Sequence, residues 1–345
     1  MSIQEVRVAL SGVGNIGRSF LRLMRDKETL LAARYGLRLK LVAAADSSGA
    51  ALAVDGLDPA TLLALKADRC GVATLAMSGV PGLTPREMVL RAGADVLLEA
   101  SPTNLKDGEP GRSAMEAALE RGMHVVSANK GPLVLAYRRL QDMARQHGVQ
   151  LRHSAAVAGA CPTVNMGQRD LAGCVISRVE GIFNTTTNYI LCQMQDTGKS
   201  FAEALAEAQA DGVAEADPTL DIDGWDAANK LVILANSVLG VPATLQDVRV
   251  QGIRHLTVRD LQDAKARGGA IKLLVLAEQA GDGYELSVQP TFLPLSHPLA
   301  RLTAWEMGIV YYTDVQGVMR AIVDEQGPLP TAAAMLRDLL SIYRG

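Results

Sequence analysis

Lys230 sits in an unusually apolar setting, within the run GWDAANKLVILANSVLG at residues 224–240. Asp226 precedes it by four residues, so on a helix the two share one face. Ala227, Ile233 and Leu234 flank that face, and Leu231, Val232 and Ala235 occupy the others. A helix apolar nearly all round is a buried helix. Burial weakens the hold of a lysine on its proton and brings it toward the range useful for acid–base work. A structural Asp–Lys pair reads equally well. Just upstream, five carboxylates fall within twelve positions: Glu215, Asp217, Asp221, Asp223 and Asp226. Asp217 and Asp223 also fit a solvated loop that caps a helix. Further upstream, GIFNTTTNYIL at residues 181–191 crowds three threonines between Asn184 and Asn188. Such a stretch can bind a small polar molecule, or it can be a turn with threonine in extended structure.

A second constellation lies near the start. Gly12-Val13-Gly14-Asn15-Ile16-Gly17 follows a short apolar run, Val6 to Leu10, and precedes a stretch with apolar residues at helical spacing. Strand, glycine turn and helix in that order form a cradle for a dinucleotide pyrophosphate. The first glycine permits the turn, the second lets backbone approach the phosphates, and the third packs helix on strand. Asn15 and Ile16 sit inside the same turn. Asp46 closes the next apolar run, where a carboxylate can meet the adenosine ribose, which favours NAD; it can also be a plain turn residue. Arg18, beside the turn, fits a phosphate contact or the surface. Lys130, in VSANKGPL, falls just after a predicted strand. Ligands of open α/β sheets gather at that edge, so Lys130 could reach the nicotinamide end; a loop lysine exposed to water is the alternative.

The elements that must position these residues alternate. Strands are predicted at Leu39 to Ala45, Asp95 to Glu99 and His124 to Ala128, with a helix over 111–121. This pattern implies an α/β fold, a doubly wound parallel sheet with helices on both faces. From about residue 151 the character shifts. Residues 174–190 read as β-rich, FAEALAEAQADG and 224–239 as helices, and Glu285 to Gln289 and Gly308 to Asp314 as strands. A last helix is expected from Thr331, with Thr331 as its cap.

The 345 residues suggest about two domains. Thirty-four basic against 37 acidic residues leave a formal charge of −3, with no basic cluster for nucleic acid or anionic membrane. No apolar run reaches the length of a membrane span, and no signal peptide is read at the N-terminus. Cys70, Cys161, Cys174 and Cys192 have no metal or redox spacing, which points to a reduced, cytoplasmic setting.

Five pieces carry a family resemblance: GVGNIG, ASPTN at 100–104, SANKGPL at 127–133, GIFNTTTNYIL, and above all AEADPTLDIDGWDAANK at 214–230. Over nearly its whole length the chain resembles the homoserine dehydrogenases. The resemblance implies a Rossmann-like dinucleotide-binding domain over 1–150, completed by 310–345, and an α/β substrate-binding and dimerisation domain over 151–309. It implies NAD or NADP as cofactor, a homodimer, and reversible conversion of aspartate 4-semialdehyde to homoserine on the way to threonine and methionine. Lys230 would be the acid/base at the carbonyl oxygen, assisted by Lys130 and oriented by Asp226. Glu215 and Asp221 would hold the substrate ammonium, with Thr186 nearby. Ser101, Thr103 and Asn104 would join the cofactor site. Carbonyls of Val157 and Gly159 could hold a sodium-type cation. The chain departs from the family pattern at Thr185, usually Gly, at Val213, usually Tyr, at Ser154, often Glu, and in the VDEQGPLPTA run, where a glycine-rich stretch is usual. It stops just after the last helix, so no regulatory domain of ACT type is expected. Thr185 and Val213 keep open a relative that reduces another small amino aldehyde or oxo acid. A dinucleotide-binding sensor without catalysis is the reading from outside enzymes, and the retained Lys230, Lys130 and Asp226 argue against it.

Overall fold

The apolar run at Val6 becomes the centre of a parallel sheet in the computed structural model, which describes residues 3–344. The strands are β1 (Gln4–Ser11), β2 (Leu37–Asp46), β3 (Gly49–Leu52), β4 (Gly79–Pro81), β5 (Val96–Glu99), β6 (His124–Ser127) and β7 (Leu151–Arg152). Their order is β4-β3-β2-β1-β5-β6-β7. β2, β1, β5, β6 and β7 run parallel, while β3 and β4 add an antiparallel edge. The intervening helices are α1 (Asn15–Asp26), α2 (Pro59–Ala67), α3 (Pro85–Ala92), α4 (Gly111–Glu120) and α5 (Lys130–Gln146). Side chains that accept from first-turn N–H groups set several starts: Asp58 for α2, Thr84 with Glu87 in a capping box for α3, and Asn129 for α5.

The strands of the second sheet are β8 (Ile176–Ile182), β9 (Val248–Val250), β10 (Gly269–Ala280), β11 (Gly283–Pro294), β12 (Glu306–Thr313) and β13 (Val318–Asp324), in the order β13-β12-β8-β10-β11-β9. Its strand pairs are antiparallel except β9 with β11. Its helices are α6 (Thr185–Thr197), α7 (Phe201–Ala210), α8 (Thr219–Ile222), α9 (Trp225–Leu234) and α10 (Val258–Ala266). α9 continues through a π-turn to Leu239. The last helix, α11 (Leu329–Tyr343), packs Ala332, Met335 and Leu339 into one core with Val8 and Leu10 of β1 and Phe20 and Leu21 of α1.

The chain therefore divides into unit 1, residues 1–160 with 327–345, and unit 2, residues 161–326. Two expectations shift. Residues 310–326 belong to unit 2, because β12 pairs with β8 and β13 with β12, so the segment returning to unit 1 starts at Gly327. The final helix begins at Leu329, with Pro330 in its first turn and Pro328, rather than Thr331, at the cap.

Candidate functional site

Unit 1 holds the glycine cradle. Gly12 has φ +94°, and its N–H donates to the Ala45 carbonyl at 2.9 Å. A Cβ on Gly12 would stand 2.4 Å from the Ala100 and Ser101 backbone, and one on Gly17 would stand 2.0 Å from the Gly12 oxygen. The fold itself demands these two glycines. Gly14 is different: no protein atom comes within 4 Å of a Cβ built there. It caps α1, and no side chain caps that terminus. Its lack of a side chain keeps open the path by which an anion meets the first-turn N–H groups. Asn15 is exposed and accepts from Arg18 Nη2 at 2.7 Å, so Arg18 braces the turn, while Ile16 packs against the core.

Asp46 ends β2 as expected, but its carboxylate is occupied. Oδ2 pairs with Lys66 Nζ at 2.7 Å and accepts from Val72 N at 3.1 Å. Oδ1 accepts from Ser48 N at 2.9 Å and Ser48 Oγ at 2.6 Å. Burial pushes this carboxyl up, yet Lys66 and the Ser48 and Val72 donors outweigh it and hold it below its ordinary value. The geometry makes Asp46 an organiser of the loop after α2.

At the same sheet edge lies a residue that sequence reading missed. Glu99 ends β5 fully buried, and burial pushes its carboxyl up against the donors around it. Its Oε1 accepts from Ser101 N at 2.8 Å, Ser101 Oγ and Asn129 Nδ2 at 3.2 Å. Ser101 and Asn129 thus serve Glu99. Asn104 builds its own turn, accepting from Lys106 N at 2.9 Å and donating to Asp107 Oδ1 at 2.7 Å, and Thr103 is exposed. Lys130 is the first residue of α5, part-buried, beyond the end of β6.

The segment around Val157 and Gly159 is pinned to α11. Ser154 donates through N to Asp338 Oδ2 at 2.7 Å and through Oγ to Asp338 Oδ1 at 2.6 Å. Arg337 donates to the Ala160 carbonyl and to Ser154 Oγ, each at 3.1 Å. Ala158 has φ +57° and Gly159 φ +54°. For alanine this left-handed conformation costs on the order of 1 kcal/mol. The donor set fits a cation poorly: a guanidinium already sits against the neighbouring carbonyl, and its fixed charge opposes a second positive ion.

Unit 2 gathers the second constellation. The threonine run is helical rather than extended: Asn184 caps α6, accepting from Thr187 N at 2.9 Å, and Thr187 Oγ1 turns back to the Asn184 carbonyl. Asn184 Nδ2 donates to Asp221 Oδ1 at 2.7 Å and to Asp226 Oδ2 at 2.9 Å. Asp226 Oδ2 pairs with Lys230 Nζ at 2.7 Å, one turn along α9. Lys230 also donates to the Phe183 carbonyl. An ammonium has three N–H groups, and among the described residues the third has no partner. Asp221, on α8, is pushed up by burial and by the negative charge of Asp226, partly opposed by Lys230, Thr186 and Asn184. Thr186 donates to the Val213 carbonyl at 3.1 Å. Glu215 is exposed on the loop after α7. Asp217 accepts from Thr219 N at 3.1 Å, and Asp223 is taken by Arg254, so both have the loop roles the sequence allowed them.

Residues 12–154 match the family model for homoserine dehydrogenase, NAD binding domain, and residues 162–340 the model for homoserine dehydrogenase. The chain is 39% identical over 336 residues to a homoserine dehydrogenase of Methanocaldococcus jannaschii, covering 97% of this chain and 98% of that one. It is 36% identical over 343 residues to an NAD(+)-dependent homoserine dehydrogenase of Pseudomonas canavaninivorans, covering 99% and 97%. Among solved structures, a putative homoserine dehydrogenase of Archaeoglobus fulgidus matches with a TM-score of 0.88 at 35% identity, covering 99% of this chain and all of that one. A dinucleotide cradle in unit 1 and a lysine held by a carboxylate and a backbone carbonyl in unit 2 are thus joined in one chain whose relatives share both halves, and the chain belongs to the homoserine dehydrogenase family, the NAD(P)-dependent oxidoreductases.

Proposed function

We propose that this enzyme interconverts aspartate 4-semialdehyde and homoserine, with Lys230 as the proton donor to the carbonyl oxygen. The observation that carries this reading is the Lys230 ammonium, held by Asp226 and the Phe183 carbonyl with one N–H to spare. A bound nicotinamide dinucleotide supplies or accepts the hydride. As negative charge grows on the aldehyde oxygen, the free N–H of Lys230 stabilises it and then gives up its proton. Asp226 fixes the position of the ammonium through their 2.7 Å ion pair. Asp221, pushed up by burial, gains from a cationic neighbour, which suits it to the ammonium of an amino-acid substrate. Glu215 is its partner in that task, Thr186 shapes the same end of α6, and Lys130 assists at the carbonyl oxygen.

Gly12, Gly14, Asn15, Ile16 and Gly17 receive the pyrophosphate, with Ser101, Thr103 and Asn104 along the neighbouring edge. Because Lys66 neutralises Asp46, the ribose end carries no net negative charge, and both NAD and NADP are admitted. Arg337 supplies the positive charge at residues 154–160, and no step is assigned to a metal ion. Among the described residues no helix is long and apolar enough to cross a membrane. The enzyme works in the cytoplasm as a homodimer on this reading, in the biosynthesis of threonine and methionine.

The test is NAD(P)+ reduction with homoserine and related hydroxy amino acids, in the parent and in Lys230→Met. Methionine fills a similar volume without charge. Turnover should fall by ~10²-fold or more with cofactor affinity unchanged. A destabilised Lys230→Met protein with normal single-turnover hydride transfer would make the Asp226–Lys230 pair structural and end the proposal.

A further inference from the structure

Glu99 closes β5 fully buried, and among the described residues no cation pairs with it. A buried carboxyl without a counter-ion costs stability, and such groups cluster at functional sites. Its Oε2 has no hydrogen-bond partner among the described residues, so this group holds its neighbours through Oε1 alone. Oε1 accepts from Ser101 N at 2.8 Å, from Ser101 Oγ, and from Asn129 Nδ2 at 3.2 Å. Ser101 follows β5 and Asn129 follows β6, and Asn129 Nδ2 also donates to Ser101 Oγ at 3.1 Å. One oxygen therefore clamps two loops at the same edge of the sheet. Ser101 backs on to the glycine turn, where a Cβ on Gly12 would meet its backbone nitrogen at 2.4 Å. Asn129 Oδ1 accepts from Gly131 N at 3.0 Å and so caps α5, whose first residue is Lys130. The two loops touch again further on: a Cβ on Gly131 would stand 2.5 Å from the Asn104 carbonyl oxygen.

The strand order reverses between β1 and β5, and open α/β sheets bind dinucleotides across such a point. The adenosine half lies toward the end of β2, so the nicotinamide half falls on the β5–β6 side. That is the side Glu99 clamps. We propose that Glu99 is a positioning residue for the nicotinamide half of the dinucleotide, acting through Ser101 and Asn129, and that the adenosine half binds without its help. The proposal rests on the reading of the glycine turn as the pyrophosphate site. It does not depend on which hydroxy amino acid is the substrate.

The full-length protein is titrated calorimetrically with NAD+ and with ADP, which keeps the adenosine and the pyrophosphate but lacks the nicotinamide riboside. Glu99→Leu removes the acceptor at similar volume. Asn129→Ser is the second variant: serine still caps a helix, but its side chain is too short to reach Glu99. In each variant that folds, the loss of NAD+ affinity should exceed the loss of ADP affinity by about fivefold or more, the scale of one lost hydrogen bond. A merely structural role would lower the folded fraction and leave the ratio of the two dissociation constants as in the parent. A difference below about fivefold in either folded variant overturns the proposal. Asn129→Ser decides alone if Glu99→Leu does not fold. A parent that binds NAD+ but not ADP removes the pyrophosphate from the glycine turn and takes the proposal with it. Equal losses in a variant of a parent that binds both remove only the role of Glu99.

Discussion

Acidification from pH 7.5 to 5 should weaken unit 1 through one side chain, His153. The ring is 3% exposed, it stacks edge-on to Tyr137 at 5.3 Å, and among the described residues neither ring nitrogen has a hydrogen-bond partner. Desolvation lowers its pKa from 6.5 to about 4, with the Asp338 charge opposing and Arg152 adding to the drop. The fold therefore prefers the neutral ring, while the unfolded chain takes up a proton near pH 6.5. Stability from this preference is complete above pH 6.5 and is lost as pH falls toward 4. The full difference is about 3 kcal/mol, of which about 2 kcal/mol is gone by pH 5. His153→Phe keeps the stack and removes the titration. Both tryptophans, Trp225 and Trp305, lie in unit 2, so unfolding is followed by far-UV circular dichroism in urea rather than by tryptophan emission. Parent and variant share every other titrating group. Between pH 7.5 and 5 the parent should therefore lose about 2 kcal/mol more than His153→Phe. Parallel losses, within about 0.5 kcal/mol, would refute a buried neutral histidine.

Three further outcomes follow from the cradle and its surroundings. Gly14→Val should fold normally, since its side chain meets open space, and should lose dinucleotide binding; parent-like affinity in equilibrium titration removes the pyrophosphate from that turn. Lys66→Met bares the Asp46 carboxylate, so the ratio of kcat/KM for NAD+ over NADP+ should rise about tenfold, the worth of one unscreened charge near a phosphate; an unchanged ratio separates Asp46 from the ribose end. Turnover in sodium, potassium and choline chloride at equal ionic strength should agree within about twofold, because Arg337 already supplies the positive charge by residues 154–160; strong activation by one metal ion sinks that assignment.

The glycine turn was legible because its three glycines have separate causes, two of them local to the backbone. The Asp226–Lys230 pair was legible because four-residue spacing and apolar neighbours specify a buried helix face. Pairings across long separations were not. Nothing near Asp46 in sequence announces Lys66, and nothing near Ser154 announces Arg337 and Asp338; sheet order and helix packing bring them together. Glu99 read as the end of a strand because its burial comes from Ser101 and Asn129 folding over it. The threonines at 185–187 suggested extended structure by their β-branching, but the Asn184 cap settles the first turn of α6. β13 and the end of β12 were placed in the wrong unit because β12 pairs with β8, more than 100 residues earlier, and β13 is tied to unit 2 only through β12.

The interrupted course of unit 1 has a consequence for biosynthesis on the ribosome. Its core needs Ala332, Met335 and Leu339 of α11 against Phe20 and Leu21, yet unit 2 is translated in between. At roughly 5–20 residues per second, the 185 residues from 161 to 345 take on the order of 10–40 s. Throughout that interval the nascent first unit presents an uncovered apolar patch, whereas unit 2 is uninterrupted and can complete its own sheet as it emerges. The piece made first is thus finished last, and this enzyme's exposure to chaperones and proteases is concentrated in that delay.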